Sequence, residues 1–293
     1  MMKLSLAVKF NIVFLTVFVV GFAASSLFTY RLLQKSAREE SLDNARMLMG
    51  AASAASVYTS GQIVPLLENR LKFEFLPQSI PSFASTEHLR ELLKSYPDYS
   101  YKEATLNPTN PRDKATDWEA NIVNQLRGKP DLKELVGERT DGGGPSLFVA
   151  QPIQITDPAC LACHTTPEMA PKTVVDRYGP LNGFGWKLNE IIGARMVSVP
   201  LTVPLERANL LLRTYMLSLL GIFAFLFCAL NLMVHLFVTR RLSQMSNLAD
   251  RVSLGETDVP EMDTRGNDEL TRLAQSFARM RTSLVSAMKM LEE

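Results

Sequence analysis

Two stretches of this chain abandon the mixing of apolar and polar positions seen elsewhere along it. From Phe10 to Phe28 the residues are apolar apart from Asn11, Thr16 and small side chains, and from Tyr215 to Val238 no Asp, Glu, Lys or Arg occurs. Each run comes close to the roughly 20 residues a helix needs to cross the hydrocarbon core of a bilayer. Neither shows the polar stripe of a helix packed on a soluble core. The pattern predicts membrane-spanning helices over residues 10–29 and 213–238. Lys3 and Lys9, followed by small residues at Gly21, Ala23 and Ala24, also suit a cleavable signal peptide. The first run is longer than the apolar core of about 7–15 residues in such peptides, so an uncleaved anchor is expected.

Between the spans the periodicity is shorter and mixed. A helix continues from Thr29 to about Leu67, disturbed at Gly61 and Pro65, and a second is expected near Thr86–Lys94, capped by Ser85 or Thr86. Pro97, Pro108 and Pro111, with Asn107 and Asn110, mark turns through 96–113. An amphipathic helix over Trp118–Leu126 stops at Gly128 and Pro130. A turn at Gly142–Pro145 then precedes two β-rich runs, Ser146–Ala150 and Pro152–Ile155, and a strand over Gly193–Val203 leads into the second span. The fold class is α+β, a helix-flanked antiparallel sheet.

Beyond the second span Leu242, Met245, Ala249 and Val252 recur at helical spacing. A polar connector follows from Gly255, carrying Val259 and Met262, and then Leu270, Leu273, Phe277, Met280, Leu284, Ala287 and Leu291 form a/d heptads. Two short heptad helices cannot bury their seams alone. Pairing with a second copy gives a parallel four-helix bundle, so a homodimer is expected.

Composition removes one class of function. With 31 basic and 30 acidic residues the chain lacks the basic excess of a nucleic-acid binder. Charge leaves the orientation open, because Lys3 and Lys9 precede the first span while Arg31, Lys35 and Arg38 follow it; Arg240 and Arg241 favour a cytoplasmic C-terminal segment.

The chemistry lies in Cys160-Leu-Ala-Cys163-His164, a C-x-x-C-H signature in a chain of only three cysteines and three histidines. Two thiols at this spacing add across the vinyl groups of one porphyrin, and the adjacent imidazole reaches the iron. A zinc site would call for a second Cys/His pair, and a redox pair of the thioredoxin kind gives His164 no role. One covalent haem c per chain is therefore expected. Such attachment takes place outside the bacterial cytoplasm. Residues 30–212 are then periplasmic, 1–9 and 239–293 cytoplasmic, and the location is the bacterial inner membrane.

The opposite face of the iron stays open: His88, Met47, Met49 and Met169 are candidates, as is an empty position able to take a small gas. Arg177, Arg195 and Lys172 are candidate partners of the haem propionates; surface roles are the equal alternative. Trp186 and Tyr178 either pack on the porphyrin or fill the core. Asn231 and His235, four apart inside the second span, are expected to make a helix–helix hydrogen bond, and Cys228 to be an apolar filler.

Arg240–Leu291 resembles a HAMP linker, through Gly255, the run Asp268-Glu269-Leu270, and Phe277 and Met280 on the seam. It departs in lacking a proline early in its first helix and in having Ala278 where Asn is usual. Residues 40–205 resemble the c-type haem, PAS-like sensor family, through Ser79–Ala84, Tyr96–Ala104, Asn107–Asn110, Cys160–His164 and Tyr178–Pro200 with its Gly183-Phe-Gly-Trp186. That resemblance implies a PAS-like antiparallel sheet behind a long N-terminal helix, with His164 as proximal ligand. The cysteine that is the second axial ligand in some relatives has no counterpart here. The expected function is transmembrane signal transduction without catalysis: redox state or a small gas is read at a periplasmic haem and relayed through HAMP to a separate cytoplasmic partner. The alternative is a membrane-anchored c-type cytochrome in electron transfer; a haem peroxidase would need a distal His/Arg pair, and none is evident.

Overall fold

The first apolar run belongs to a helix far longer than itself, α1, over Leu6–Tyr58. The computed structural model describes residues 6–256, 259–260 and 264–292, so the expectations for Lys3 and Met262, and for the side chain of Leu291, lie outside the described residues. The chain divides into two units: Tyr30–Leu211, and the residues up to Thr29 together with those from Leu212 onward.

In the first unit Gly61 falls in a π-helical turn, Thr59–Ile63, and Pro65 in the opening turn of α2, Val64–Leu71. A proline costs little there, because the first N–H groups of a helix have no intrahelical partner. The next helix, α3, covers Pro81–Leu93 and starts earlier than the predicted caps. Pro81 opens it with its φ already set. Ser85 and Thr86 lie inside the helix, buried, both donating to the Ser82 carbonyl at 3.0 and 2.9 Å.

The sheet has four strands: β1 (Ser100–Thr105), β2 (Leu135–Asp141), β3 (Gly144–Gln154) and β4 (Ile191–Pro200), in the spatial order β1-β4-β3-β2, all antiparallel. Between β1 and β2 lies α4, Asp117–Arg127; between β3 and β4 lie two short helices, α5 (Leu161–His164) and α6 (Lys172–Tyr178). Strands β1 and β2 carry Lys102, Glu103, Glu138 and Arg139 and read as polar, because they are the two edges of the sheet, where charged side chains are normal. The two predicted β runs are one strand. Pro152 sits beyond Ala150, the last β3 residue paired with β2, where that side of β3 is an edge and can spare an N–H. Strand β4 ends at Pro200 rather than Val203, and α7, Thr202–Val234, begins there.

Alternation along the strands sorts two cores. Phe148 and Ala150 of β3 with Ala194 and Met196 of β4 face Ile122, Val123 and Leu126 of α4. Leu147 and Val149 with Val197 and Val199 face Ala45 and Met49 of α1. The sheet is thus sandwiched. A capping box fixes the start of α4: Thr116 accepts from the Glu119 backbone, and Glu119 accepts the Thr116 N–H at 2.7 Å.

In the second unit α1 and α7 are both long and apolar enough to cross a membrane. Phe18 and Phe223 stack with centroids 5.1 Å apart, and Ser25 Oγ lies 3.1 Å from Tyr215 Oη. Asn231 does not bridge the helices as expected. Its amide donates to Phe227 O on its own helix at 3.0 Å, since a carbonyl one turn back is the nearest acceptor. A π-helical turn, His235–Thr239, leads into α8, Arg240–Ser253. Helix α9 covers Glu269–Glu292, and Asp268 caps it by accepting the Thr271 N–H at 2.7 Å while also bonding Arg241 of α8. That bonding holds the Asp268 carboxyl below its ordinary value. Thr271 and Ala274 are buried on α9, whereas Leu273, Met280 and Leu284 of the predicted seam are exposed.

Candidate functional site

The cysteine motif begins as a capped turn. Asp157 accepts the Ala159 N–H at 2.8 Å, Pro158 opens the turn, and Cys160 runs directly into α5, which ends at His164. Cys160 and Cys163 are free thiols, both partly buried. Burial raises both thiols above the ordinary cysteine value, and Asp157 adds to the effect at Cys160. An activated redox cysteine needs the opposite shift. Among the described residues no three His, Cys, Asp or Glu side chains are placed to hold one metal ion, which leaves the zinc reading without a ligand set.

His164 is held from three sides. Its Nδ1 lies 2.7 Å from Gly183 O, and since a carbonyl only accepts, the proton is on Nδ1. Nε2 is therefore the nitrogen with the lone pair. Thr109 Oγ1 lies 3.4 Å from the same Nδ1, and the Trp186 ring stacks on the imidazole at 3.9 Å between centroids and 12° between planes. Burial pushes the imidazole below its ordinary value, offset in part by the Gly183 bond.

The loop that supplies Gly183 is itself clamped. Asn107 Oδ1 accepts the Gly183 N–H at 3.1 Å and its Nδ2 donates to Phe184 O at 3.0 Å. The Gly185 and Trp186 N–H groups donate to Thr165 O at 2.9 Å and His164 O at 3.2 Å. Gly183 has φ +85°, and a Cβ there would meet Thr109 Oγ1 at 2.1 Å and Thr109 Cα at 2.8 Å. Only glycine fits. The 107–113 segment is tied to α3 by Arg112, which bonds Glu87 and lies 4.8 Å over the Phe83 ring.

The remaining sequence candidates fall in different places. Trp186 meets the His164 imidazole itself, and its Nε1 is buried with no hydrogen-bond partner among the described residues. Tyr178 packs edge-on against Phe75 at 6.1 Å. Arg177 is exposed at the end of α6, 5.7 Å over the Tyr178 ring, and Lys172 is exposed at the start of the same helix. Arg195 lies on β4 opposite Glu103, its Nε 3.8 Å from a carboxylate that also accepts from Ser82, Ser85 and Tyr101. Burial and the Glu103 charge push the Tyr101 phenol well above its ordinary value. Met49 is consumed by the α1 side of the core, Met47 and Met169 are 68% and 62% exposed, and His88 is exposed on α3. Three positioning residues, Asn107, Thr109 and Gly183, were not among the sequence candidates. Their signal was the two short polar-glycine motifs, whose meeting at His164 requires the fold.

A family profile of Tll0287-like proteins matches residues 34–200, and a HAMP domain profile matches residues 230–286. Among solved structures, the crystal structure of the cyanobacterial haem protein Tll0287 is similar, with 16% sequence identity and a TM-score of 0.43 over 55% of this chain and 95% of that one. No curated protein matches. The first profile covers more than half of the chain, and on that ground the chain belongs to the Tll0287-like family, here joined to a HAMP domain.

Proposed function

We propose that the chain binds one haem c through thioether bonds at Cys160 and Cys163, with His164 Nε2 as an axial iron ligand, and that it passes the state of that haem across a membrane through HAMP. The observation that carries this reading is the Nδ1–H bond to Gly183, which leaves Nε2 as the lone-pair nitrogen of a histidine that directly follows the second of two free cysteines in sequence. Membership of a family that includes a haem protein supports it, as does the HAMP segment, which is a signalling element. When bound, the haem supplies an iron that changes oxidation state or takes a small gas. The chain's own residues set the rest: Trp186 and Gly183 hold the imidazole in plane and protonated at Nδ1, and Asn107 keeps the Gly183 carbonyl in place. Arg177, exposed beside the motif in sequence, is the arginine proposed for a propionate, since Arg195 is drawn to Glu103. The C-x-x-C-H unit is then periplasmic and the HAMP helices cytoplasmic, in an inner membrane. Two copies pair, and a separate cytoplasmic protein receives the signal. The chain performs no catalysis.

Acid-acetone extraction and the pyridine haemochrome spectrum test the site. The haem should stay with the polypeptide in the wild type and be extracted from Cys160→Ala/Cys163→Ala, while His164→Ala should keep covalent haem with an altered spectrum. Full extraction from the wild type overturns the reading. Membrane-anchored electron transfer becomes the better account if haem is retained but the cytoplasmic segment shows no redox- or gas-dependent change in cross-linking between copies.

A further inference from the structure

We propose that the α1–α7 pair holds a binding site for a neutral, membrane-dissolved quinone or its hydroquinone, at the end of the pair next to Arg240. A cleft of about 470 Å³ lies between the two helices there. Its polar lining is Asn11 on α1, Asn231 on α7, and His235 and Thr239 on the turn that follows α7, and its apolar lining includes Phe10 and Phe14. The two phenyl rings stack on each other, 6.2 Å between centroids. No Lys, Arg, Asp or Glu lines the cleft, although Lys9 and Arg240 are each next to a lining residue in sequence.

Five features select the ligand. Hydrogen-bonding side chains stand on both walls, one helix each, which suits a ring with oxygens at opposite edges. Among the described residues neither the Asn11 nor the His235 side chain has a hydrogen-bond partner, although the His235 carbonyl accepts the Arg240 N–H; polar side chains in a membrane span need a partner. A neutral lining beside an aromatic wall suits a flat neutral ring and not an anionic lipid headgroup, which would call for lysine or arginine. The volume falls in the ordinary range for small-molecule sites, roughly 300–1,000 Å³. The open side of the cleft leaves an exit into lipid for an isoprenoid tail.

The backbone supplies an independent observation. His235–Thr239 is a π-helical turn, and π-turns inside α-helices recur at functional sites. Two of the lining side chains, His235 and Thr239, are the ends of that turn, and Arg240 directly after it begins α8. An occupant here bears on the entry to the HAMP helices and is a membrane-borne input separate from the cysteine motif.

Full-length protein in phosphatidylcholine nanodiscs, illuminated with an azidoquinone and digested for mass spectrometry, provides the test. Label should map to 7–14 and 228–239, saturate, and be competed by decylubiquinone. Asn11→Leu/His235→Leu should lower it at least tenfold, His235→Gln should keep most of it, and Phe225→Leu, exposed and outside the cleft, should leave it unchanged. Circular dichroism of each variant checks that the helices persist. Label that is not competed, or that is equal in the double leucine variant, is lipid partitioning and overturns the proposal. So does a Leu232→Cys variant that cross-links to a second copy and thereby abolishes labelling, since the cleft is then a helix–helix interface.

Discussion

At the scale of single residues the site rests on one carbonyl. Gly183 combines a positive φ with contact against Thr109, so Gly183→Ala meets both backbone strain and a clash. We expect a loss of ~1–3 kcal/mol, the usual cost of one strained backbone position, read by thermal denaturation. A Thr109→Gly second change should recover only the steric part. Asn107→Ala removes two hydrogen bonds to the same loop and should cost ~1–3 kcal/mol. Asp113 offers a test with a defined sign. Burial raises its carboxyl above the ordinary aspartate value, outweighing Arg112 at 3.3 Å. The folded state then holds the proton more tightly than the unfolded one, so stability falls as pH rises from the ordinary value through the raised one. Asp113→Asn should therefore raise the melting temperature at pH 7 and lose that advantage near pH 3.

Among the elements, α4 and α9 show how local chemistry starts a helix that packing then keeps. The Thr116–Glu119 capping box satisfies two N–H groups that the helix leaves open. Thr116→Ala should cost ~1 kcal/mol, whereas Leu126→Ala, fully buried between α4 and the sheet, should cost ~2–5 kcal/mol. Equal losses in urea titrations of the two variants would sink this ordering. Glu119 also pairs with Lys102 of β1 at 2.7 Å, so one side chain joins the cap to the sheet edge. In α9 the Asp268 cap explains why Asp-Glu-Leu opens that helix: the aspartate closes the first turn and its second oxygen reaches Arg241 of α8.

For the whole molecule the exposed seam is the informative feature. Among the described side chains of α9 the buried ones are Thr271 and Ala274, while Leu273, Met280 and Leu284 remain uncovered. The second copy proposed for this chain would bury exposed heptad positions of this kind in a parallel bundle. A Met280→Cys variant should form a disulfide-linked dimer in membranes under mild oxidation, and Ser283→Cys, off the seam, should do so far less. Equal cross-linking at both positions would argue against an ordered bundle.

Much of this protein was legible in one dimension. Length and apolarity marked both candidate spans, because crossing a bilayer is a demand on contiguous residues. The C-x-x-C-H spacing was legible for a similar reason, and so were the end of α4 at Gly128 and the glycine after α8. The edges of the sheet were hidden: β1 and β2 are charged, and only pairing with buried neighbours makes them strands. The start of α3 was misplaced, since Ser85 and Thr86 resemble caps by type but are used inside the helix to reach Ser82 and Glu103. The surroundings of His164 were scattered over three segments, near 107, 164 and 183. Motifs set by covalent chemistry and by local backbone geometry can be read along the chain. The plane of the imidazole, the fate of Arg195 and the burial of Met49 depend on contacts distant in sequence, and the tertiary structure decided them.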